Sequence, residues 1–280
     1  MTAAEVEAPA EVEPGVYDNV ASEVYHADPV PDGSLSSTGA RKLATECPAA
    51  FKHWVDHPEP YKSAFDFGTA AHKVVLGDGP ELVLVDRDRW DTNEVKEQIR
   101  KIRAAGNIPL KQRDLDKVNA MAEALRAHPE AAALLEPGSG IAERTIIWND
   151  RGVWRRIRID WARHDGTLVD YKSCRSANPS KLPNHIADYG YHQQQEYYRD
   201  GALEFGLTEL VCPFKFIFQE KEPPYLVSVI ELDSTACGIG RHLNERALNT
   251  YALCRAADDW PGYVQTPLVS LPPRVEREYR

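Results

Sequence analysis

The sequence predicts an α/β (α+β) fold in which a sheet is flanked by helices, and two observations support this. Residues 142–173 contain three short runs rich in Ile, Val, Trp and Tyr, separated by residues 149–152 and 164–166. Such runs between Gly, Asn and Asp are typical of strands joined by tight turns, so a three-stranded meander is predicted. Helical patterns lie on both sides of it, for example over residues 64–76 and 188–205.

The composition limits the possible classes of protein. The chain has 280 residues, of which 42% are hydrophobic, enough for one large domain with insertions. The formal net charge of -10 argues against a surface that is basic all over, but it leaves room for a basic groove. Five cysteines without a Cys-x-x-Cys pair, no apolar leader and no run of 18 apolar residues predict a cytoplasmic protein without a membrane span. The sequence contains no Gly-x-x-x-x-Gly-Lys loop, so we do not expect the protein to use ATP.

Caps and breakers place the remaining elements. Residues 1–15 are rich in Ala, Glu, Val and Pro and are predicted to be a disordered acidic tail. The elements predicted before the meander are a helix from Ser37 towards Glu46, a helix opening at Pro48, a helix over 64–76, a strand over 82–85, and two or three helices over 92–135. The elements predicted after it are a helix entry at 176–179, a helix over 188–205, strands over 210–219 and 226–231, and a helix from Asp233 to about Ala257.

Three histidines have positions that metal sites use. His53 and His57 stand at i and i+4 on the second helix, but a third ligand is missing and a solvated helix explains them. His72 lies in the later half of the helix over 64–76. By itself it is best explained as a core or capping residue, because most buried histidines are structural.

The second turn of the meander decides which acids meet. If residues 164–166 form a three-residue loop, Asp160 stands opposite Asp170 on the next strand. Because side chains alternate along a strand, Lys172 shares a face with Asp170. A two-residue turn at 165–166 would instead send the two acids to opposite faces of the sheet.

Two facing carboxylates beside an ammonium group suit metal-dependent phosphodiester hydrolysis. Asp160 and Asp170 can hold Mg²⁺ and leave coordination positions for water and a phosphate oxygen. Lys172 would orient the water, lower its pKa, or stabilise the pentacovalent phosphorus. The simpler interpretation is a surface hairpin with an Asp-Lys ion pair, so other parts of the chain have to agree.

Several segments over residues 34–231 do agree. They are Leu35-Ser36-Ser37 leading to residues 47–51, then 67–72, Ala142-Glu143, 158–160, 169–173, 191–198 and 219–225. In this order they resemble the PD-(D/E)XK nuclease superfamily and, within it, the RecE-like branch, the exodeoxyribonuclease VIII type of phage and prophage exonucleases. The resemblance implies a restriction-endonuclease-like core with a mixed central sheet flanked by helices. With the composition of the two ends, we expect one domain over residues 16–260, with a helical insertion at about 90–135, and a Pro-rich C-terminal arm over 261–280.

The resemblance also implies roles for individual residues. Asp160, Asp170 and His72 would bind the metal, because a Gly-x-x-x-His element places such a histidine at the metal site. Lys172 would position or activate water. Glu143 would complete the site as a third carboxylate or by holding a ligating water, with an ordinary edge charge as the alternative.

A second group of residues is expected to contact DNA. By resemblance, Gln194 and Tyr198 would hold the scissile strand, although Gln193 and Tyr197 have the same spacing. Arg158 falls on the Asp160 face, where it would meet a phosphate or balance the acids.

The resemblance implies an exonuclease that uses Mg²⁺, for which Mn²⁺ can substitute. It would degrade one strand of linear double-stranded DNA from 5′ to 3′ and expose a 3′ strand for a single-strand annealing protein. A homo-oligomeric ring around DNA, in the cytoplasm of a bacterial host, is implied as well. The alternatives are a repair or CRISPR-adaptation-type nuclease of the same superfamily and a catalytically idle DNA-end binding module. Some CRISPR-adaptation-type nucleases bind an iron-sulfur cluster through one upstream cysteine and three near the C-terminus, and this sequence lacks that cysteine pattern. The intact Asp160, Asp170 and Lys172 count against the idle module.

Overall fold

The computed structural model describes residues 12–58, 64–87, 89–211 and 213–263, together with residues 270, 271, 273 and 277. It confirms the predicted fold class, a mixed α/β domain with a central sheet between helices. Most of the predicted tail at residues 1–15 and much of the predicted arm at 261–280 lie outside the described residues.

The strands and helices of the described residues have the following bounds. The strands are β1 (Gly15–Tyr17), β2 (Leu35–Ser36), β3 (Leu82–Leu84), β4 (Ile108–Leu110), β5 (Gly140–Asp150), β6 (Val153–Arg163), β7 (Leu168–Cys174), β8 (Phe214–Glu220) and β9 (Val227–Ile230). The helices are α1 (Ser22–His26), α2 (Ser37–Thr45), α3 (Pro48–Asp56), α4 (Ala64–Leu76), α5 (Asn93–Ala104), α6 (Gln112–Ala127), α7 (Pro129–Leu134), α8 (Leu182–Tyr189), α9 (Tyr191–Glu204) and α10 (Ser234–Ala257).

The central sheet has the order β1-β5-β6-β7-β8-β9, with β2 also beside β6. The β7–β8 and β2–β6 pairs are parallel and the other pairs are antiparallel, so the sheet is mixed. Strand β7 pairs with β6 only near its start, at Trp161 and Ala162, whereas β2 pairs with β6 at Arg155 and Arg156. The sheet therefore forks between these two pairings, along one edge of β6.

The two faces of the sheet bury separate cores. One core packs α2, α9 and α10 against Ile146, Ile157 and Phe216. The other packs α4 and α6 against Val169 and Tyr171. Alternation along β7 thus directs Val169 and Tyr171 into the second core and turns Asp170 away from it, as the strand period requires.

Local signals set most element boundaries. The Ser36 hydroxyl accepts the Gly39 backbone N–H at 3.1 Å and caps α2, and the Asp233 carboxylate accepts the Ala236 N–H at 2.8 Å and caps α10. Helix α4 covers the predicted residues 64–76 and ends at Gly77, which has a φ of +80°.

The structure differs from the predictions at several elements, among them the helix entry at 176–179, since α8 begins at Leu182. The helix predicted over 188–205 is divided by Gly190, whose φ of +65° ends α8 and begins α9. Strand β8 begins at Phe214 rather than at Leu210. Strands β1, β2 and β4 were not predicted, because runs of two or three residues are too short for a detectable alternation. Within the described residues, no helix combines the length and apolarity needed to cross a membrane.

Candidate active site

The three-residue loop at 164–166 is confirmed. The Arg163 N–H donates to the Thr167 carbonyl at 3.0 Å, and Gly166 adopts a left-handed φ of +86°. This register places Asp160 of β6 opposite Asp170 of β7, where the two strands diverge. The alternative two-residue turn is therefore wrong.

The Asp160 side chain accepts a backbone hydrogen bond at the point where β6 and β7 separate. Its Oδ2 atom accepts the backbone N–H of Tyr171 at 2.8 Å, although the β6–β7 ladder itself ends at Trp161 and Val169. The carboxylate thus satisfies a strand donor that has lost its partner on β6. This contact fixes the position of the acid between the two strands.

Glu143 stands on the other side of Asp160. In the β5–β6 ladder Ala142 pairs with Trp161 and Arg144 with Ile159, which sets Glu143 opposite Asp160. Its φ of +51° lies in the left-handed region, which is costly for a residue with a side chain. Carboxylates from three neighbouring strands, Glu143, Asp160 and Asp170, therefore follow one another across the sheet.

His72 on α4 completes the group. Its Nδ1 atom lies 3.7 Å from the Asp160 Oδ2 atom, and its ring packs edge-on against Tyr171. One ligand atom from each of His72, Glu143 and Asp160 lies within 4.8 Å of the other two. The fold thus brings together three residues that the sequence separates by up to 88 positions.

Asp170 is held by a different set of partners. Its side chain is almost fully buried, its Oδ2 atom lies 2.6 Å from the Lys172 Nζ atom, and its Oδ1 atom accepts from the Gln194 amide at 2.9 Å. The predicted shared face of Asp170 and Lys172 is confirmed by this pair. Asp170 is not one of the three residues whose ligand atoms cluster within 4.8 Å, and its role as a metal ligand stays a prediction.

Burial and crowding shift the pKa values of the acids upward. Burial, and then the Asp160 charge, raise the pKa of Glu143 to about 7. Burial raises the pKa of Asp170 to about 6, even though Lys172 opposes the shift. The pKa of Asp160 is also raised, chiefly by burial. Lys172 pairs with Asp170 and Arg158 pairs with Glu143, so each of these basic groups neutralises one acid of the three.

The basic groups shift in opposite directions. Burial, followed by the charge of Lys172, lowers the pKa of His72 to about 4, so its imidazole is neutral at pH 7. Burial alone would lower the pKa of Lys172, but Asp170 and Asp160 outweigh it and the pKa is raised. Lys172 is therefore an ammonium group at neutral pH.

The donor set fits a divalent cation. Carboxylate oxygens are the ligands that Mg²⁺ and Mn²⁺ prefer, and a neutral imidazole is a common ligand of divalent transition-metal ions. A cation between Glu143, Asp160 and His72 would offset the burial that raises the pKa of both carboxyls and the Asp160 charge that raises the pKa of Glu143 further. We therefore regard these residues as a candidate metal site.

Arg158 is engaged within the protein. Its Nε atom pairs with Glu143 Oε2, and its Nη2 atom donates to the Val20 carbonyl at 2.9 Å. The sequence predicts that Arg158 either contacts a phosphate or balances the charge of the acids, and its pairing with Glu143 agrees with the second alternative. Its contact with a phosphate stays a prediction.

The predicted Gln-x-x-x-Tyr pair has an asymmetric placement. Gln194 reaches Asp170, whereas Gln193 makes its backbone contact with Asn244 on α10. The contact of Gln194 with Asp170 agrees with the pairing of Gln194 and Tyr198 rather than that of Gln193 and Tyr197. Tyr198 is buried in the core beside Phe214. Its contact with DNA stays a prediction.

Sequence reasoning missed residues 25–34, which contact the arginines of β6 beside this site. Asp28 accepts from Arg156 at 2.6 Å, and Arg156 also donates to the Ser34 carbonyl at 2.8 Å. The Tyr25 ring lies 5.6 Å from the guanidinium carbons of both Arg156 and Arg158. No local pattern marks this segment, because its partners are more than 100 residues away in sequence.

A sheet that forks beside a row of acids and a lysine, between two helical layers, defines a PD-(D/E)XK-like domain. Residues 36–266 match the family model described as PDDEXK-like domain of unknown function (DUF3799), and the chain belongs to this family. The resemblance to the PD-(D/E)XK superfamily is thereby confirmed. No curated protein matches the chain significantly.

A solved structure shares this fold. The chain is similar to a "putative exonuclease" from Eubacterium rectale, with a TM-score of 0.59 and 12% identity over 90% of this chain and 94% of that one. For a phage related exonuclease from Haemophilus somnus 129PT the TM-score is 0.35, with 9% identity over 81% and 96% of the two chains. For the alkaline exonuclease LHK-Exo from Laribacter hongkongensis the values are 0.24 and 14%, over 70% and 98%. The first likeness shows a common fold, and the lower TM-scores add nothing to it.

Proposed function

We propose that this protein is a metal-dependent deoxyribonuclease that degrades linear double-stranded DNA from an end. The observation that carries the proposal is the convergence of His72, Glu143 and Asp160 within 4.8 Å, next to the buried Asp170–Lys172 pair. A cation site of this kind beside a fixed ammonium group is what phosphodiester hydrolysis requires.

Each residue has a distinct task in this mechanism. Glu143, Asp160 and His72 would hold the cation, which when bound polarises a phosphate oxygen and acidifies a water molecule. Lys172 would orient the attacking water and stabilise the negative charge that develops on the phosphoryl oxygens. Gln194 would keep Asp170 oriented, and Asp170 in turn keeps Lys172 in place.

The finer properties rest on the resemblance to RecE-like exonucleases. It supports Mg²⁺ as the metal, 5′ to 3′ polarity, and a role in recombination in which a single-strand annealing protein takes up the exposed 3′ strand. It also supports a homo-oligomeric ring. The neighbour from Eubacterium rectale, described as a putative exonuclease, agrees with an exonuclease in general terms.

Digestion of end-labelled DNA tests the proposal. Linear duplexes labelled at the 5′ or the 3′ end are incubated with Mg²⁺, Mn²⁺ or EDTA, beside a closed circle. Release of 5′ label as mononucleotides, with the circle spared, is expected from the wild type. Lys172→Ala should abolish release, whereas Lys42→Ala, which removes an exposed ion pair with Glu46, should not.

The other outcomes separate the alternatives. Nicking of the circle would indicate an endonuclease. Release of 3′ label first would reverse the polarity. Binding of DNA ends without hydrolysis under any divalent metal would contradict the proposal and favour the idle binding module.

A further inference from the structure

An exposed tyrosine stands at the end of α8, close to the catalytic lysine. Tyr189 is 58% exposed although its ring contacts two neighbouring aromatic rings. It immediately precedes Gly190, the left-handed residue that joins α8 to α9. Tyr189 is thus the last residue of α8, directly before the turn into α9.

Tyr189 is one member of an aromatic group. Its ring is stacked on that of Tyr191, with centroids 5.7 Å apart and an interplanar angle of 19°. The His185 ring lies 4.6 Å from Tyr189 and 5.7 Å from Tyr191. Tyr191 packs on Phe216 and Phe218, so the group is supported from below by the core. We call Tyr189, Tyr191 and His185 the aromatic platform.

The platform is continuous with the candidate active site. The Lys172 Nζ atom lies 5.2 Å from the centre of the Tyr191 ring and 2.6 Å from Asp170. One lysine thus touches both the acids and the platform. A phosphate at Lys172 would place the neighbouring nucleotide of the same strand over Tyr191 and Tyr189.

Two cationic side chains, Arg41 and Lys172, lie beside the platform. Arg41 of α2 donates to the Tyr189 carbonyl at 2.7 Å and packs against Gly190, where an added Cβ would meet its Cδ atom at 2.9 Å. Arg41 thus contacts the backbone of Tyr189, and Lys172 contacts the ring of Tyr191. Aromatic rings between cationic side chains form the usual binding surface for single-stranded nucleic acid.

Packing alone does not explain Tyr189. Tyr191 contacts the core, so its ring is needed there, but Tyr189 contacts the outer part of the platform and leaves more than half of its surface open. A polar residue at the helix end would avoid exposing this ring. A flat, exposed face of this kind suits a second flat ring.

We propose that the aromatic platform binds an unpaired nucleobase of the strand whose phosphate is held at Lys172, with the base stacked on Tyr189. The inference rests on the proposed nuclease function and specifies its substrate as a DNA end with unpaired nucleotides. Stacking tolerates every base, so the platform would act without sequence preference.

Binding of tailed duplexes by fluorescence anisotropy tests the proposal, with Ca²⁺ in place of Mg²⁺ to slow hydrolysis. Tyr189→Ala should weaken the binding of a duplex with a single-stranded tail by about 5- to 150-fold, and Tyr189→Phe should leave it unchanged. Tyr263→Ala is the matched control, because Tyr263 is 77% exposed in the C-terminal segment. Thermal unfolding shows whether each variant keeps its fold.

Abasic DNA shows whether the missing contact is a base. A tail carrying one abasic site, moved nucleotide by nucleotide, should bind wild type more weakly at one position. At that position Tyr189→Ala should weaken binding no further. An equal loss on intact and abasic tails would overturn the proposal, and so would unchanged binding by Tyr189→Ala.

The two proposals fail in different ways. If wild type digests DNA but Tyr189→Ala binds and digests tailed ends normally, the platform is wrong and the nuclease stands. If wild type neither binds nor cleaves DNA, the proposed function is wrong and the platform falls with it.

Discussion

The Oδ2 atom of Asp160 accepts the backbone N–H of Tyr171 at 2.8 Å, across the point where β6 and β7 separate. One carboxylate therefore does two things. It closes the fork of the sheet, and it faces His72 and Glu143 as a candidate metal ligand.

These two roles can be separated by mutation. Asp160→Asn keeps an oxygen that can accept the Tyr171 N–H, so unfolding in EDTA at neutral pH should occur at a temperature no lower than in wild type. Asp160→Ala leaves a buried N–H without a partner and should destabilise the fold by about 1–3 kcal/mol. Both variants should lose the thermal shift that a divalent cation causes. An Asp160→Asn protein that keeps the shift would contradict the assignment of Asp160 as a ligand.

Lys172 is expected to act on the chemical step. Lys172→Ala should lower kcat by about 100- to 10,000-fold, because the developing phosphoryl charge loses its ammonium partner. Cation binding should persist, since Glu143, Asp160 and His72 are unchanged. The change in stability should be modest, because Asp170 can take up a proton at its raised pKa. Single-turnover digestion and thermal melts in parallel measure both effects, with Lys42→Ala as the control.

Gln194 and Gln193 form a matched pair of variants. Gln194→Ala removes the amide that holds Asp170 Oδ1 at 2.9 Å and should reduce activity by about 10- to 100-fold. Gln193→Ala removes an equally buried side chain that does not contact Asp170, and should affect stability more than activity. The reverse result would move the catalytic register to Gln193 and Tyr197.

Cation binding should depend on pH through Glu143. Its pKa of about 7 in the folded protein means that below pH 7 a cation has to displace a proton. The apparent affinity should therefore fall by about tenfold for each pH unit below about 7 and level off above it. His72 contributes no such step, since it is neutral above a pH of about 4. Calorimetric titration with Mn²⁺ in wild type and Glu143→Gln measures the effect, and the variant should lose the step near pH 7.

The same shift affects the metal-free protein. The unfolded chain releases the Glu143 proton near the ordinary pKa of 4.5, whereas the folded chain keeps it until about 7. The folded state binds more protons in between, so this group's contribution to stability decreases as pH rises from 4.5 to about 7. Addition of a divalent cation should therefore stabilise the protein more at pH 8 than at pH 5.

Two glycines test the turn under the aromatic platform. Gly190 and Gly206 both have a φ of +65°, but a Cβ at Gly190 would meet Arg41 at 2.9 Å, whereas nothing lies within 4 Å at Gly206. Gly206→Ala should cost about 1–2 kcal/mol from backbone strain alone. Gly190→Ala should cost about 1–3 kcal/mol more, because Arg41 has to move. Equal costs in chemical denaturation would show that Arg41 is free to adjust.

Much of the site could be predicted because it depends on short-range rules. The loop at 164–166 fixes the pairing of Asp160 with Asp170, and strand alternation puts Lys172 beside Asp170. Helix α4 was predicted to the residue from its pattern and from Gly77. The prediction for 188–205 failed at Gly190, because a glycine between two helical runs of similar pattern gives no clear sign of a turn.

The sequence by itself determined the meander and the two registers that its second turn allows, because turn length and side-chain alternation act over a few residues. The structure decided between them, since it has the three-residue loop that sets Asp160 opposite Asp170. Only the tertiary structure decided that Glu143 faces Asp160 with a strained backbone, that His72 of α4 reaches the same point, and that Gln194 rather than Gln193 holds Asp170. The exposure of Tyr189 beside Lys172 was decided there too. These relationships depend on how helices pack on the sheet, and packing joins residues that no local pattern connects.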